Sequence, residues 1–344
     1  MRIAVHGASG FTGGLVLAEA RRRGLTPVVV GRDEERLRKA AARTGGDEVE
    51  IRVAGLDDPA ALAGAFRDCD TVVNCAGPFT LWGEPVVRAA IAAGCHYVDT
   101  TGEQRYLRHV LDAFGGDAER AGVTVVPGMT DDGAPGDLIA ALAAARLGTV
   151  DEVLVADLRP PGAASRGTAR SMAAIGEAEP LEFRDGEWGA APADEAGRTL
   201  AVPGERDGEV PVGSFPLPGV VTVPRHVRAR RVRSALRAEV AAMFRGLTAD
   251  LVESVPVEPD EASRAASRWL MLAEASDGAG RTARGWVTGT DPYGITAVVA
   301  VEGARRLAAG GAPTGTRAPA EVFDPAGFLD ALAPSGAAWQ VEGG

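Results

Sequence analysis

Three glycines near the start of the chain have the spacing of a phosphate-binding turn. Gly7, Gly10 and Gly13 follow a short apolar run, Ile3 to Val5, and precede an amphipathic stretch that predicts a helix. In such a strand–turn–helix, the first glycine lets the backbone leave the strand sharply, the second leaves room for a pyrophosphate, and the third allows close packing of helix and sheet. A second apolar run, Pro27 to Val30, follows at βαβ spacing. The pattern therefore predicts a dinucleotide site rather than a structural turn alone.

The residues after the second predicted strand indicate which dinucleotide is bound. An acidic side chain at this point holds a ribose 2′-hydroxyl, whereas an arginine accommodates a 2′-phosphate. The sequence here is Gly31-Arg32-Asp33, and the Arg32 guanidinium is suited to a bidentate bond with phosphate. Asp33 could instead serve a ribose hydroxyl, but we favour it as the N-cap of the helix predicted over Glu34 to Arg43. NADP(H) is the predicted cofactor.

Length and composition favour a cytoplasmic enzyme of two domains. The chain has 344 residues and a formal net charge of −11, which argues against nucleic acid as a partner. No apolar run is long enough to span a membrane, and the opening strand pattern predicts no secretory signal. The three cysteines, Cys69, Cys75 and Cys95, lack the spacing of metal ligands, so no metal site is predicted.

The single lysine, Lys39, excludes the commonest catalytic arrangement of reductases with this kind of turn. Short-chain dehydrogenases use a tyrosine followed four residues later by a lysine, and none of Tyr97, Tyr106 and Tyr293 is followed in this way. Lys39 itself lies in the helix predicted after the second strand, away from the nicotinamide end. Schiff-base chemistry through this residue is therefore excluded as well.

Strands and helices alternate through the first part of the chain, which predicts an α/β fold with a doubly wound parallel sheet of the Rossmann type. Further on, Asp185-Gly186 and Asp277-Gly278 are typical of hairpin turns and predict an α+β second domain with a mixed or antiparallel sheet. We place the Rossmann domain at residues 1–128 and the second domain at 129–290. C-terminal helices at 291–344 are expected to return towards the Rossmann domain.

The pattern predicts one helix over Tyr106 to Ala121, a strand over Val220 to Val223, and a helix over Arg233 to Phe244. The Gly- and Pro-rich stretch from Gly189 to Gly219 predicts long loops.

Ligands of doubly wound sheets bind outside the carboxyl ends of the strands. Three segments that follow predicted strand ends are therefore expected to line the cofactor and substrate site: Gly77 to Gly83, Thr100 to Gln104, and Gly128 to Gly136.

Three segments also carry a resemblance to a known family. They are GASGFTG at Gly7 to Gly13, the stretch Asn74 to Glu103, and the stretch Val125 to Ala144. On these segments the chain resembles the saccharopine dehydrogenase-like family of NADP-binding reductases, and it is also similar to bacterial proteins called trans-acting enoyl reductases. The resemblance implies a Rossmann domain, NADP(H) and hydride transfer.

Matched by position, the resemblance also implies roles for individual residues. It places Arg32 near the adenosine phosphate and Asp99 to Glu103 beside the hydride-transfer site. Around the pyrophosphate it places Ala8, Ser9, Gly10, Phe11 and Thr12. Against the nicotinamide ribose it places Cys75, Ala76, Gly77, Pro78 and Phe79.

Several polar residues are candidates for catalysis. Asp99 and Glu103 could accept a substrate ammonium or donate a proton if burial raised the carboxyl pKa, with capping of the next helix as the alternative. We favour capping for Asp99 and the site for Glu103. Cys75 fits a small buried strand residue better than a nucleophile. Arg225 and His226 could bind substrate or transfer a proton, with a solvated basic face as the alternative.

The sequence thus predicts an NADP(H)-dependent oxidoreductase that moves a hydride to or from a small-molecule substrate. By resemblance, a C=N bond (imine or secondary amine) is the first choice, and a conjugated alkene or carbonyl is next. A redox sensor that binds NADP(H) without turnover is the alternative from another class, since the Tyr–Lys pair is missing. No nucleic-acid or membrane partner is expected, and the sheet of the second domain could support a homodimer.

Overall fold

The computed structural model describes residues 1–44, 49–175, 179–192, 198–204 and 208–344. By its internal contacts the chain divides into two compact units. The first unit comprises Met1–Thr101, Arg105–Thr130 and Thr296–Arg317. The second unit comprises Gly102–Gln104, Asp131–Ile295 and Ala318–Gly344. Residues 291–344, which the sequence predicts as one C-terminal segment, are thus divided between the two units.

The strands and helices below are those of the described residues, in chain order. The strands are β1 (Arg2–His6), β2 (Thr26–Gly31), β3 (Glu50–Val53), β4 (Thr71–Asn74), β5 (His96–Asp99), β6 (Thr124–Val126), β7 (Glu152–Asp157), β8 (Leu181–Arg184), β9 (Glu187–Ala190), β10 (Thr199–Ala201), β11 (Glu209–Ser214), β12 (Arg231–Arg237), β13 (Arg268–Ser276), β14 (Thr282–Thr290), β15 (Gly315–Thr316) and β16 (Ala338–Gly343). The helices are α1 (Phe11–Arg22), α2 (Glu34–Arg43), α3 (Pro59–Phe66), α4 (Phe79–Ala92), α5 (Gln104–Ala113), α6 (Gly115–Ala121), α7 (Ala134–Ala144), α8 (Arg166–Ile175), α9 (Gly219–Thr222), α10 (Ala238–Arg245), α11 (Ala249–Ser254), α12 (Glu261–Ala266), α13 (Pro292–Ala308), α14 (Pro319–Val322) and α15 (Pro325–Asp330).

The sheet of the first unit is parallel and has the strand order β15-β6-β5-β4-β1-β2-β3. The chain winds outwards from β1 in both directions, so the order reverses between β1 and β4, as in a doubly wound Rossmann sheet. Its central strands are continuous apolar runs because both faces are buried: Ile3, Ala4 and Val5 have no exposed surface. The predicted Rossmann fold is confirmed.

Helix α13 completes the first unit from the far end of the chain. The Thr71 hydroxyl in β4 donates a hydrogen bond to the Ala304 carbonyl (3.2 Å). On the same helix, the buried Glu302 carboxylate pairs with Arg23, and Arg305 also binds it. Although burial alone would raise the pKa of Glu302, these guanidinium groups outweigh it and lower that pKa to about 2.

The second unit has a mixed sheet of order β10-β11-β12-β7-β13-β14-β16, with β8 pairing β12 and β9. Strands β12 and β7 are parallel, and the other pairs are antiparallel. Both predicted hairpins are present, as β8–β9 and β13–β14. Asp185 and Gly186 join the first pair with φ values of 51° and 94°, as a hairpin turn of two residues requires. The predicted mixed sheet is confirmed.

The strand predicted over Val220 to Val223 is wrong. The segment forms α9 and a 3-10 turn, Val223–Arg225, and its residues are buried. Pro218 stands at the N-cap, and Gly219 packs so closely on β7 that an added Cβ would lie 2.9 Å from a methyl group of Val155. Burial against the sheet therefore outweighs the β-propensity of the valines.

The helices predicted over Tyr106 to Ala121 and Arg233 to Phe244 also need correction. The first is two helices, α5 and α6, because poor helix formers (Gly115 and Gly116) follow Phe114. In the second, residues 233–237 belong to strand β12, which pairs with β7, and only the remainder of the predicted helix is helical, as part of α10.

Two predicted loops are also shorter than expected. Helix α4 begins at Phe79, inside the loop predicted over Gly77 to Gly83. Between Gly189 and Gly219 the described residues include strands β10 and β11, while residues 193–197 and 205–207 of that stretch lie outside them.

Candidate functional site

The turn after β1 has the geometry of a phosphate cradle. Gly7 has φ +78°, a conformation that glycine adopts without strain, and its carbonyl accepts a hydrogen bond from Gly10 N (2.9 Å). A Cβ on Gly13 would lie against the Gly7 carbonyl oxygen and 2.8 Å from Ala8 Cα, so only glycine fits there. Gly10 is the N-cap of α1 and has no side chain to cap it. At the N-terminus of α1, no side chain of the N-cap residue therefore covers the backbone N–H groups.

A second turn, after β4, closes on the first. An added Cβ on Gly7 would lie 3.0 Å from Ala76 N, and Cys75 N donates to the His6 carbonyl (2.9 Å). The turn continues through the cis peptide Gly77–Pro78 to the start of α4. These turns follow adjacent strands at the point where the strand order reverses, which is where doubly wound sheets bind their ligands. We call the carboxyl ends of β1 and β4, with the turns 7–10 and 75–78, the switch edge.

At the end of β2, Arg32 is exposed and Asp33 has a structural role. The Asp33 carboxylate accepts a hydrogen bond from Arg36 N (3.0 Å), so the N-cap interpretation is confirmed. On α2, Arg38 pairs with Glu34 and Lys39 pairs with Glu35. Within the described part of the chain, no ion pair is found for Arg32 or Arg36. Two guanidinium groups are therefore exposed and unneutralised beside the end of β2.

A network of buried polar side chains links the carboxyl ends of the central strands. Asp99 Oδ1 accepts from Gly128 N (2.9 Å) and Thr101 N (3.2 Å), and Asp99 Oδ2 accepts from the Tyr97 hydroxyl (3.0 Å). The Tyr97 oxygen accepts from Asn74 Nδ2 (3.1 Å). Each of these side chains is fully buried.

The other end of this network reaches the switch edge. Asn74 Oδ1 accepts from Ala76 N (3.1 Å) and faces His6 Nδ1 (2.9 Å). Because that amide oxygen is only an acceptor, His6 carries its proton on Nδ1 in this arrangement. Burial lowers the pKa of His6 below its ordinary value, so the neutral ring is favoured.

The prediction that Asp99 caps the following helix is wrong. Its carboxylate binds the N–H groups of Thr101 and Gly128, and α5 begins only at Gln104. Burial raises the pKa of Asp99 to about 6, against the hydrogen bonds from Gly128, Thr101 and the two tyrosine hydroxyls. Glu103 directly precedes α5 and is 2% exposed.

The Cys75 thiol is poorly suited to nucleophilic catalysis. Burial raises its pKa to about 12, although a hydrogen bond with Thr100 opposes this. Almost no thiolate is then present near neutral pH, and the thiolate is the reactive form. The structure thus favours a non-catalytic residue, but the predicted strand position is wrong, because β4 ends at Asn74 and Cys75 lies in the turn that follows.

Arg225 and His226 lie in the second unit, where each is bound by a carboxylate. His226 Nε2 is 2.7 Å from Oδ1 of the fully buried Asp137, whose Oδ2 accepts from Ala320 N (2.9 Å). Arg225 Nε donates to Glu321 (2.7 Å). These pairs join the turn after α9, helix α7 and the start of α14, so the structure favours a structural role for both residues over substrate binding.

The His226–Asp137 pair predicts a pH-dependent contribution to stability. Burial acts to lower the pKa of His226, but the Asp137 carboxylate outweighs it and the pKa is raised. The stabilisation is therefore fully present below the unfolded pKa of about 6.5 and is lost as pH rises through the folded value. We expect His226→Gln to lower the unfolding free energy by about 1–3 kcal/mol near pH 6 and by less near pH 9, measured by urea unfolding.

The matched control for this prediction is Arg230→Gln, which removes an exposed ion pair with Asp151. That substitution is expected to leave the urea midpoint unchanged at both pH values. A cost of His226→Gln that stays constant from acid to alkaline pH contradicts the ionic interpretation.

Sequence reasoning did not find five members of the buried networks. They are His6, Asn74, Tyr97, Tyr106 and Asp137. A signal for the first two was present, because each is a polar residue that ends an otherwise apolar strand at the carboxyl edge of the sheet. Neither a helix suited to crossing a membrane nor a group of three or more potential metal ligands is found among the described residues.

Comparison with known proteins agrees with this geometry. Residues 3–126 match the family model described as "Saccharopine dehydrogenase NADP binding domain". This part of the chain thus matches an NADP-binding domain of the saccharopine dehydrogenase type, as the resemblance in the sequence implies, and the match indicates NADP(H) as its cofactor. The glycine cradle of the switch edge and the exposed Arg32 fit that cofactor.

Curated relatives match over the same part of the chain. The "Lipid droplet localized protein" of Caenorhabditis elegans is 34% identical over 146 residues, which are 40% of this chain and 34% of that protein. The "Saccharopine dehydrogenase-like oxidoreductase" of Bos taurus is 32% identical over 152 residues, 40% of this chain and 35% of that protein. The "Trans-acting enoyl reductase" of Mycobacterium bovis is 30% identical over 140 residues, 40% and 34% respectively. The matched segment thus spans about a third of each relative.

The fold of the whole chain is similar to that of a solved structure. Apo saccharopine dehydrogenase (L-Glu forming) from Saccharomyces cerevisiae superposes with a TM-score of 0.64 at 12% identity, and the match covers 99% of each chain. At this identity the likeness shows the fold alone.

Proposed function

We propose that this protein is an NADP(H)-dependent oxidoreductase that moves a hydride to or from a small substrate, with a C=N bond as the first choice. The observation that carries the proposal is the glycine cradle at the switch edge, where Gly13 lies against the Gly7 turn and α1 begins without a side-chain cap. Bound NADP(H) supplies or accepts the hydride. The choice of a C=N bond draws on the names of the relatives.

The residues of the chain bind and orient the cofactor and the substrate. The N-terminus of α1 offers backbone N–H groups and its partial positive charge to a pyrophosphate, and Arg32 offers a guanidinium fork to a 2′-phosphate. The turn 75–78 brings backbone towards a ribose at the same edge. Glu103, buried beyond the turn after β5, is the carboxyl group that we propose for binding a substrate ammonium or moving a proton.

The Mycobacterium bovis relative, by its name, supports a second candidate, reduction of a conjugated C=C bond. The lack of a tyrosine followed four residues later by a lysine supports a third, a sensor that binds NADP(H) without turnover.

Stopped-flow oxidation of bound NADPH distinguishes these functions. The protein is mixed separately with an imine-forming pair (a 2-oxo acid and a primary amine), an enoyl thioester and an aldehyde. NADPH oxidation that requires both members of the imine-forming pair is the expected result. If only the enoyl thioester oxidises NADPH, the bond that is reduced is a C=C bond and not the proposed C=N bond. Tight binding with no oxidation by any of the three supports the sensor and overturns the reductase.

A further inference from the structure

One buried carboxylate connects the backbone of several turns at the cofactor-binding edge of the first unit. Asp99 accepts directly from the turns after β5 and β6, through Thr101 N and Gly128 N. Through Tyr97 and Asn74 it is linked to Ala76 N, in the turn after β4. The network thus ties the backbone of these turns together at the switch edge.

We propose that Asp99 is a positioning residue for cofactor binding, which holds these turns in one arrangement while it is ionised and so makes NADP(H) affinity depend on pH. The proposal rests on cofactor binding at the switch edge and is independent of the reaction proposed above. Asp99 itself is fully buried and its oxygens are occupied by donors, so it acts through the turns and not on the substrate.

The direction of each hydrogen bond follows from the charge on Asp99. An ionised carboxylate can only accept, so the Tyr97 hydroxyl must donate to it, and the Tyr97 oxygen is left to accept from Asn74 Nδ2. The amide oxygen of Asn74 is thereby turned towards Ala76 N and His6. A protonated Asp99 must donate one bond, so at least one tyrosine hydroxyl has to reverse.

The groups that face Asp99 come from several elements. They are the Tyr97 hydroxyl on β5, the Tyr106 hydroxyl on α5 (3.2 Å from that of Tyr97) and the Cys75 thiol after β4. Burial raises the pKa of Tyr97 and of Cys75, so both stay neutral near neutral pH. His6, one residue further along the network, is favoured as the neutral ring. The raised pKa of Asp99, about 6, lies inside the interval from pH 5 to pH 7.5.

The ionised form of Asp99 does not contribute to fold stability. Burial raises its pKa to about 6, above an unfolded value of about 3.9. The contribution of Asp99 to the unfolding free energy is therefore fully present below the unfolded pKa, where the acid is protonated, and is lost as pH rises through the folded pKa. Substitution by the uncharged isostere asparagine is therefore expected to leave the melting temperature near pH 7.5 unchanged or raised. A loss of cofactor affinity in that variant then does not report unfolding.

Calorimetric titration of Asp99→Asn with NADP⁺ from about pH 5 to about pH 7.5 tests the proposal. The asparagine amide donates where the carboxylate accepted and so imitates the protonated acid. We expect it to bind NADP⁺ about fivefold to tenfold more weakly than wild type near pH 7.5, because charge-assisted bonds are replaced by neutral ones. Near pH 5 the two proteins are expected to bind equally. The 2′-phosphate also titrates near pH 6, so the difference between the two curves is the measured quantity.

The matched control is Glu302→Gln, a buried carboxylate of the same unit whose pKa of about 2 keeps it ionised throughout. It is expected to lower the melting temperature while its binding curve runs parallel to that of wild type. Tyr97→Phe gives a second variant, which removes the link from Asp99 to Asn74 and is expected to weaken NADP⁺ binding near pH 7.5. If the NADP⁺ affinities of wild type and Asp99→Asn change with pH in parallel, the proposal is overturned. A wild-type protein that binds no NADP⁺ overturns the proposed function as well.

Discussion

A Gly13→Ala variant is expected to lose about 2–3 kcal/mol of folding free energy and to bind NADP⁺ at least tenfold more weakly than wild type. The added methyl group would lie against the Gly7 carbonyl oxygen and 2.8 Å from Ala8 Cα. Both are backbone atoms of the phosphate cradle, so either α1 moves away from the sheet or the turn opens. Such a loss is a large part of the 5–15 kcal/mol that stabilises an ordinary domain.

The neighbouring glycine provides the control. A Cβ on Gly14 would meet nothing within 4 Å, and alanine is favoured over glycine inside a helix by about 0.5–1 kcal/mol. Gly14→Ala is therefore expected to raise the unfolding free energy slightly and to leave NADP⁺ affinity unchanged. Urea unfolding and calorimetric titration of both variants measure the two effects. Equal behaviour of the two variants contradicts a cradle set by close packing at Gly13.

Features that depend on a few consecutive residues could be predicted from the sequence. The glycine turn, the N-cap at Asp33 and the hairpin turn at Asp185-Gly186 each follow from local backbone chemistry, and the structure shows each of them. The parallel sheet could be predicted from the alternation of strands and helices for the same reason, since each βαβ unit is a local pattern.

Features that join distant residues could not be predicted in this way. His226 and Asp137 are 89 residues apart, and nothing in the sequence around either one indicates the other. Val220 and Val221 are typical of a strand by residue type, yet they form helix α9 because burial beneath the sheet decides their conformation.

The buried network shows the same limit within the candidate site. Asp99 could be identified as an acid at a strand end, but its partners are set by which strands lie side by side. Strands β4 and β5 pair in parallel with Asn74 opposite Asp99, and this register brings the Asn74 amide to Tyr97. A strand order is needed before the sequence can give that contact.

An Arg32→Asp variant is expected to bind NADPH about 10- to 100-fold more weakly, while its affinity for NADH changes by less than about threefold. Arg32 is exposed at the end of β2 and has no ion pair among the described residues, so its guanidinium is available for a 2′-phosphate. Asp33 is engaged as the N-cap of α2 and does not replace it. The substitution removes a charge-assisted bond and adds repulsion of the phosphate, and NADH lacks that phosphate.

The control is Arg38→Asp on the following helix, α2, where the lost arginine is exposed and paired with Glu34. It changes the net charge by the same amount, so a general electrostatic effect on an anionic ligand would appear in both variants. Fluorescence titrations of NADPH and NADH with each variant give four affinities. A specific 2′-phosphate contact requires that only the NADPH affinity of Arg32→Asp falls steeply. If both cofactors weaken together, Arg32 acts on the turn as a whole; if neither weakens, the 2′-phosphate is bound elsewhere, and the exposed Arg36 is the next residue to substitute.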